Sequence, residues 1–588
     1  MGKQKRARQS QKEARVASPG GRSAPLPARS LLPSTERAIL WGILAFAALL
    51  RLFYLLEYRG RSIFYGQLML DAQVYDEWAQ KIAGGAWWGG PVFYHAPLYP
   101  YMLAIFYRVL GHHYLPIYLF QLLLGLGAIY LVYRIGKRCA SPWIGLAGAA
   151  LIALYAPLPF FETKIMATSV AIFLSTAALA LLVEAWMSGG AVLWCVSGAL
   201  IGLAALASPA SLLWVPCFAV GLLVRRRALG EAVALVLGAL VTVAPATLHN
   251  LSAGGGLIPI SSQGGITFYQ GNMLNSRGLY RPVEGMSGSP LTQMNEEKKM
   301  AEKEAGHPLR ASEVSSFWFG KGLKIITGNP GGYLQLLQLK MLRWFSSLEY
   351  STEYSQAIER SQLTSLWIPF VPFGFLAVGA MAGILLGART FPRLTPLYFY
   401  LLGAIATPMI FYVSSRYRIA AVPVLAVLAA VAVERITARI RERGMLDGLV
   451  VALPVLLLGG LTLVPYGSDH LFQEANVHYN AGNLFYDRGD YDTAIEEYRQ
   501  ALQVSDFEFY RVNLGNALTR EKRYGEAVEQ YRLAIQKNPR FAKAYIQWAK
   551  ALAQQGSLAE ARQIYQRATQ LGMRNADVEK LLGGTSTP

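Results

Sequence analysis

Cysteine is nearly missing from this 588-residue chain: there are three, Cys139, Cys195 and Cys217, and no two stand at a zinc-ligand spacing. That excludes a disulfide framework and a cysteine-built metal site. Charged residues are scarce too, at 15% against 53% hydrophobic. With a mean hydropathy of +0.29, this excludes a single water-soluble globule. Acids are the scarcer sign, 36 Asp and Glu facing 55 Lys and Arg. The basic surplus is local. Residues 1–30 hold eight Lys/Arg and one acid, Glu13, among Pro, Ser and Gly. Such a stretch cannot bury enough apolar surface to fold. Residues 1–35 therefore read as a disordered cytoplasmic tail against anionic membrane lipid, and no nucleic-acid partner is expected.

Long apolar runs are what the chain has in abundance. Runs of roughly bilayer-crossing length fall near 37–56, 114–135, 142–158, 165–187, 191–207, 210–224, 231–248, 364–387, 395–413, 417–434 and 447–465. They make a polytopic helical bundle over residues 36–465. The first, Ala38 to Leu56, is too long for a signal-peptide core and reads as a signal anchor. Lys137/Arg138, Arg225 to Arg227, Arg389/Arg393 and the Arg435 to Arg443 cluster all fall on the tail's side, which makes the N-terminus cytoplasmic. An odd number of spans then puts the C-terminal segment outside the cytoplasm, with a bacterial inner membrane as the expected setting. Two large loops, 57–113 and 249–363, share that outer side.

The ionisable residues gather at the outer rim, which favours chemistry at the membrane surface over transport through it. In the first loop Asp71 and Tyr75 are four apart and share a helix face, whereas Asp76 and Glu77 point elsewhere. Aromatics from Trp78 to Tyr101 suit a segment lying in the interface. Glu162 and Lys164, in FFETK, stand between the third and fourth spans as rim groups or as a helix-end charge pair. Arg416 and Arg418, in FYVSSRYRIAAVPVLAVLAA at 411–430, stand at the outer mouth of a span. Paired guanidinium forks at that depth suit a phosphate in the headgroup layer.

Three motifs occur in order on the outer face: Asp71 with Tyr75 followed by HAPLYPY at 95–101, PATLHNLSAGGGLIPISSQGGITFYQGNMLNSRG at 245–278, and the Arg416 span. Together they resemble the GT-C glycosyltransferases that use polyprenyl-phosphate sugars, as in the protein O-mannosyltransferases and aminoarabinose transferases. The resemblance implies an enzyme with Asp71 as general base toward an acceptor hydroxyl, and Arg416, Arg418 and Lys164 on the departing phosphate. It makes Glu162 a further catalytic candidate and Tyr75, His95, Gln263 and Asn272 substrate contacts. It implies no cofactor, the lipid-linked sugar being a substrate. Here Ala72 follows Asp71 where the O-mannosyltransferases have Asp-Glu, His249 stands in place of Arg, and Ala420 in place of Pro. His112 and His113 lack companion ligands, and no metal is expected.

Within the second loop, residues 328–350 have apolar residues at helical spacing with Lys340 and Arg343 opposite. This predicts an amphipathic helix on the membrane surface below a small folded cap, with the segment around Leu291 to Arg310 as a closing element.

After Pro465 the period changes. Gly482, Gly515 and Ala549 recur at 33 and then 34 residues, followed by Ala494, Ala527 and Ala561, Tyr498, Tyr531 and Tyr565, and Ala501, Ala534 and Ala568. This resembles three tetratricopeptide repeats over 472–574, a helical solenoid, with a tail at 575–588. Asn480, Asn483, Asn513 and Asn516 fall on its concave face, where amides hold an extended peptide, unless the repeats serve only assembly or dimerisation. The expectation is an all-α membrane glycosyltransferase that moves a sugar from a polyprenyl phosphate to an extracytoplasmic acceptor, either a protein held by the repeats or a glycolipid. An O-antigen polymerase or ligase and a non-catalytic scaffold presenting the repeats are the alternatives.

Overall fold

A computed structural model describes residues 32–226, 228–283, 286, 290–350, 353–466 and 469–583. Residues 1–31, most of the basic tail, lie outside it. Among the described residues there is no strand. Among the described residues five helices are long and apolar enough to cross a membrane: Pro33–Arg61, Tyr114–Cys139, Thr168–Ser188, Leu229–Ser252 and the broken run Ser415–Arg443. Shorter apolar helices include Pro142–Ala153, Ala191–Ala207, Pro209–Val224, Phe373–Gly387 and Met445–Leu461. Leu98–Leu110, inside the stretch read as the first outer loop, is also an apolar helix.

Without water to drive apolar groups together, helices in lipid associate through close packing at small residues. Here Gly198 and Gly238 let the Ala191–Ala207 and Leu229–Ser252 helices touch backbone to backbone. A Cβ on either would stand 2.0 or 1.9 Å from a carbonyl oxygen of the other helix. Gly383 does the same against Leu428 O, at 1.8 Å.

The bundle also contains charge that the hydropathy pattern conceals. Arg51 lies inside the first span, 1% exposed, and its Nε and Nη2 donate to the two Glu162 carboxylate oxygens at 2.8 and 2.9 Å. Gly125 makes room for that carboxylate, since a Cβ there would fall 1.9 Å from Glu162 Oε1. Lys164 turns the other way, 2.7 Å from Glu359. Its ammonium sits 3.9 Å from the Tyr58 ring centroid and 4.6 Å from that of Phe160. The Glu162–Lys164 pair therefore does not form, because each charge, taken out of water, needs a buried partner of its own.

The second outer loop folds into a cap around Ile266, Val283, Met286, Ala301, Leu309, Val314 and Trp318. Its helix Pro330–Phe345 reverses the expected facing. Leu334 and Leu342 are exposed while Lys340 and Arg343 are buried. Lys340 donates to Asn272 Oδ1 and to the Met409 and Phe411 carbonyls at 3.0, 2.9 and 2.6 Å. Lipid is a good solvent for leucine and a poor one for ammonium, so the polar side turns inward. Burial pulls the Lys340 ammonium down to about 7.

The helix Pro290–Ala305 is seated on the cap. Tyr94 donates to Glu297 Oε2 at 3.0 Å, and Trp318 Nε1 to Glu297 O at 3.2 Å. Burial pushes the Glu297 carboxyl up to about 8, against the opposing hydrogen bond from Tyr94. A buried acid with a raised pKa binds its proton more tightly in the docked state, so docking is strongest below about pH 4.5 and is lost as pH rises toward about 8. Hydrogen exchange of residues 290–305 should accelerate across that window. Glu297→Gln should flatten the dependence, and an unchanged profile in that variant would refute the assignment.

The C-terminal segment is three helix pairs, Asp469–Asp487 with Tyr491–Val504, Glu508–Arg520 with Tyr524–Lys537, and Ala542–Gln555 with Leu558–Gln570, closed by Ala576–Leu581. The recurring glycines are explained by the recurring tyrosines: a Cβ on Gly482 or Gly515 would stand 2.6 Å from the ring of Tyr498 or Tyr531. Each of those tyrosines donates its hydroxyl to the neighbouring Asn483 or Asn516, at 2.7 and 3.0 Å. The solenoid sits at the end of the bundle that carries both outer loops. Asn480 Nδ2 donates to Glu353 O at 3.2 Å, and Arg488 donates to the Ile63 carbonyl.

Candidate functional site

Asp71 opens the helix Asp71–Ala83, where the helix dipole favours an acid. The residue before it, Leu70, has φ 48°, a left-handed conformation with no glycine to relieve it. The local turn thus aims Asp71 at a segment 345 residues away. Arg416 Nη1 donates to Asp71 Oδ2 at 2.8 Å, and the same nitrogen lies 2.8 Å from Glu353 Oε1. Asp71 is 14%, Arg416 24% and Glu353 4% exposed, so Asp71 and Arg416 remain reachable.

The two carboxyls behave oppositely. Burial alone would raise Asp71, but the Arg416 guanidinium and nearby His95 outweigh it and hold the group below its ordinary value. Burial drives Glu353 well above its ordinary value, and the charge on Asp71 adds to this despite Arg416. One guanidinium charge lies between two carboxyls, and it favours ionisation of Asp71 over that of Glu353.

Tyr75 shares the Asp71 face, as its spacing predicts, and packs edge-on against His95 with centroids 5.8 Å apart. His95 is buried, which lowers its basicity, and it faces Asp71, Arg416 and Gln263. Its Nε2 has no hydrogen-bond partner among the described residues. Asp76, by contrast, is held by Tyr107 and His112 at 2.5 and 2.8 Å.

Beside this cluster lies a cavity of about 1510 Å³. Leu70 and Gln73 line it from the first loop, and Tyr280 and Tyr350 from around the second. From the solenoid come Asn480, Asn483, Asn513 and Asn516. Tyr350 also borders the small recess formed by Glu353 and Arg416.

Four candidates stand apart from the cluster, Glu162 with Arg51 among them. Arg418 is 0% exposed, and its guanidinium donates to the carbonyls of Arg343, Ser346 and Leu348 at 3.1, 2.7 and 2.5 Å and to Glu349 at 3.1 Å. Committed to holding the chain after Phe345, it is not free for a phosphate. Asn272 Nδ2 donates to the Phe268 and Ile410 carbonyls at 2.8 and 2.9 Å, a tie between loop and span that leaves it unsuited to a sugar. Lys164 is sealed with Glu359. Glu353 was not singled out in the sequence, since a lone glutamate in a loop carries no spacing signal.

Residues 94–249 match the family model described as dolichyl-phosphate-mannose-protein mannosyltransferase. The membrane half carries a glycosyltransferase domain. Asp71 and Arg416 lie outside the matched stretch, and His95, inside it, faces both. Residues 479–542 and 518–583 match tetratricopeptide repeat models. Among solved structures, the archaeal oligosaccharyltransferase AglB from Archaeoglobus fulgidus, in complex with an inhibitory peptide and a dolichol-phosphate, is 17% identical with a TM-score of 0.39. The alignment covers 75% of this chain and 58% of that one. The apo form of the enzyme gives 15% identity, 79% and 60% coverage and a TM-score of 0.40. Yeast Tom70 gives 13% identity, 69% and 90% coverage and a TM-score of 0.19. The chain thus spans less than two thirds of the length of the oligosaccharyltransferase. No curated protein matches it.

Proposed function

We propose that the glycosyltransferase moves a sugar from a polyprenyl-phosphate donor to an extracytoplasmic acceptor, with a polypeptide held by the repeats as the leading acceptor. The observation that carries this reading is the Asp71–Arg416 pair, with Arg416 in a small recess and Leu70 and Gln73, beside Asp71 in the chain, lining the large cavity. The acceptor hydroxyl oxygen attacks the anomeric carbon, its proton passes to Asp71, and the bond from that carbon to the phosphate oxygen breaks with its electron pair on the phosphate. Arg416 stabilises the charge that develops there. As the guanidinium turns toward phosphate, Asp71 loses its counter-charge and becomes a stronger base at the step that needs one. Tyr75, His95 and Gln263 border the acceptor side. The N-terminus is cytoplasmic and the solenoid extracytoplasmic in a bacterial inner membrane. In support, the solenoid and both outer loops share one end of the bundle.

The test is transfer in isolated membranes from a panel of radiolabelled polyprenyl-monophosphate sugars. Label on a protein acceptor establishes the reading and names the sugar. Label on a glycolipid instead removes the polypeptide acceptor, and no transfer from any donor overturns the reaction class.

A further inference from the structure

Glu353 is a buried acid that the reaction above does not use. It shares a single guanidinium nitrogen with Asp71, each carboxyl 2.8 Å away. Its other oxygen, Oε2, is buried without a hydrogen-bond partner among the described residues. Its main chain is held from outside the membrane half, by Asn480 of the first repeat. Two ionised carboxylates against one cation would leave a net negative charge in a site almost closed to water, a costly arrangement. We propose that Glu353 is a positioning residue of the reaction centre: a neutral carboxyl, placed by the solenoid, that steadies Arg416 while leaving its charge for Asp71 at rest and for the phosphate when donor is bound.

The groups that face Glu353 are Arg416, Asp71, Tyr75, Tyr280, Tyr354 and Tyr417, with His95 beyond Asp71. Burial raises Tyr75, Tyr280 and Tyr354. When Glu353 does ionise, well above the ordinary carboxylate range, it claims Arg416 as a second carboxylate and takes the guanidinium away from phosphate.

The consequence can be measured in two ways, one independent of the transfer reaction. The infrared difference spectrum between the purified full-length protein and Glu353→Gln at neutral pH should contain a protonated-carboxyl band belonging to Glu353. Absence of that band overturns the inference, whatever the protein does to sugars. In the second measurement, binding of polyprenyl monophosphate is followed by thermal shift across pH. Wild type should lose binding on the alkaline side, and Glu353→Gln should keep neutral-pH binding and lose the alkaline decline. Asn480→Ala, which lets water reach Glu353, should bring the decline to lower pH, and adding Glu353→Gln to it should abolish the decline. A decline that persists in Glu353→Gln refutes the role. Failure of wild type to bind at any pH refutes the donor reading alone, with the infrared result still deciding Glu353.

Discussion

Asp71→Asn is expected to lower sugar transfer by about 10²–10⁴-fold, the usual worth of a positioned general base. The substitution keeps the size of the side chain and an oxygen for the Arg416 Nη1 hydrogen bond, now 2.8 Å long. It removes only the capacity to accept a proton. Glu353 shares the same nitrogen, so the guanidinium keeps a partner and the local fold should hold. Protein level in the membrane and phosphate binding should therefore be close to wild type while turnover collapses. Phosphate binding lost in parallel would make Asp71 a structural counter-ion. Transfer unaffected by the change would move the base elsewhere and favour a polymerase-type reaction built on arginine and histidine.

The largest effect on stability is expected at Arg51. This guanidinium and Glu162 are 1% and 2% exposed, and removing one partner strands the other's charge inside the bundle. Arg51→Met should cost about 3–5 kcal/mol. In detergent this would appear as a lower midpoint of thermal unfolding and a larger fraction of aggregated protein. The combined Arg51→Met, Glu162→Gln variant removes both charges at nearly constant volume and should recover much of the loss. A single variant as stable as wild type, or a double variant no better than the single, would contradict this account. Glu162 then belongs to the architecture of the bundle, because its carboxylate is already occupied on both oxygens.

Much of the fold is legible in the residues themselves. Apolar runs give the helices of the membrane half, and the return of Gly, Ala and Tyr every 33 or 34 residues gives the solenoid, because both are local regularities of one helix or one helix pair. The site is only partly so. Asp71 and Arg416 stand out as polar groups at the ends of apolar segments, and the structure brings them together. Arg418 has the same sequence character as Arg416 two residues earlier. Only the path of the chain after Phe345 sends its guanidinium into carbonyls instead of the recess. Arg51 is invisible to hydropathy because one arginine hardly changes the mean of a long run. Its partner comes 111 residues later. Lys340 was misplaced because helical periodicity separates two faces without saying which one meets lipid. Glu353 could have been suspected only from a pattern of contacts between the two outer loops, and pairing between distant segments leaves no period to read.

The docking of the solenoid has a consequence for how such a chain can change over generations. Repeat arrays lengthen and shorten readily by duplication and loss of units, since each unit rests only on its neighbours. Here the first unit is fastened to Glu353 and Ile63, and it borders the cavity that the outer loops also line. A unit inserted ahead of it would lift that wall away from Arg416. A unit added beyond Gln570 would leave it untouched and extend the groove outward. Variation in array length is thereby confined to the distal end, where a gene can lengthen the groove without disturbing the site around Arg416.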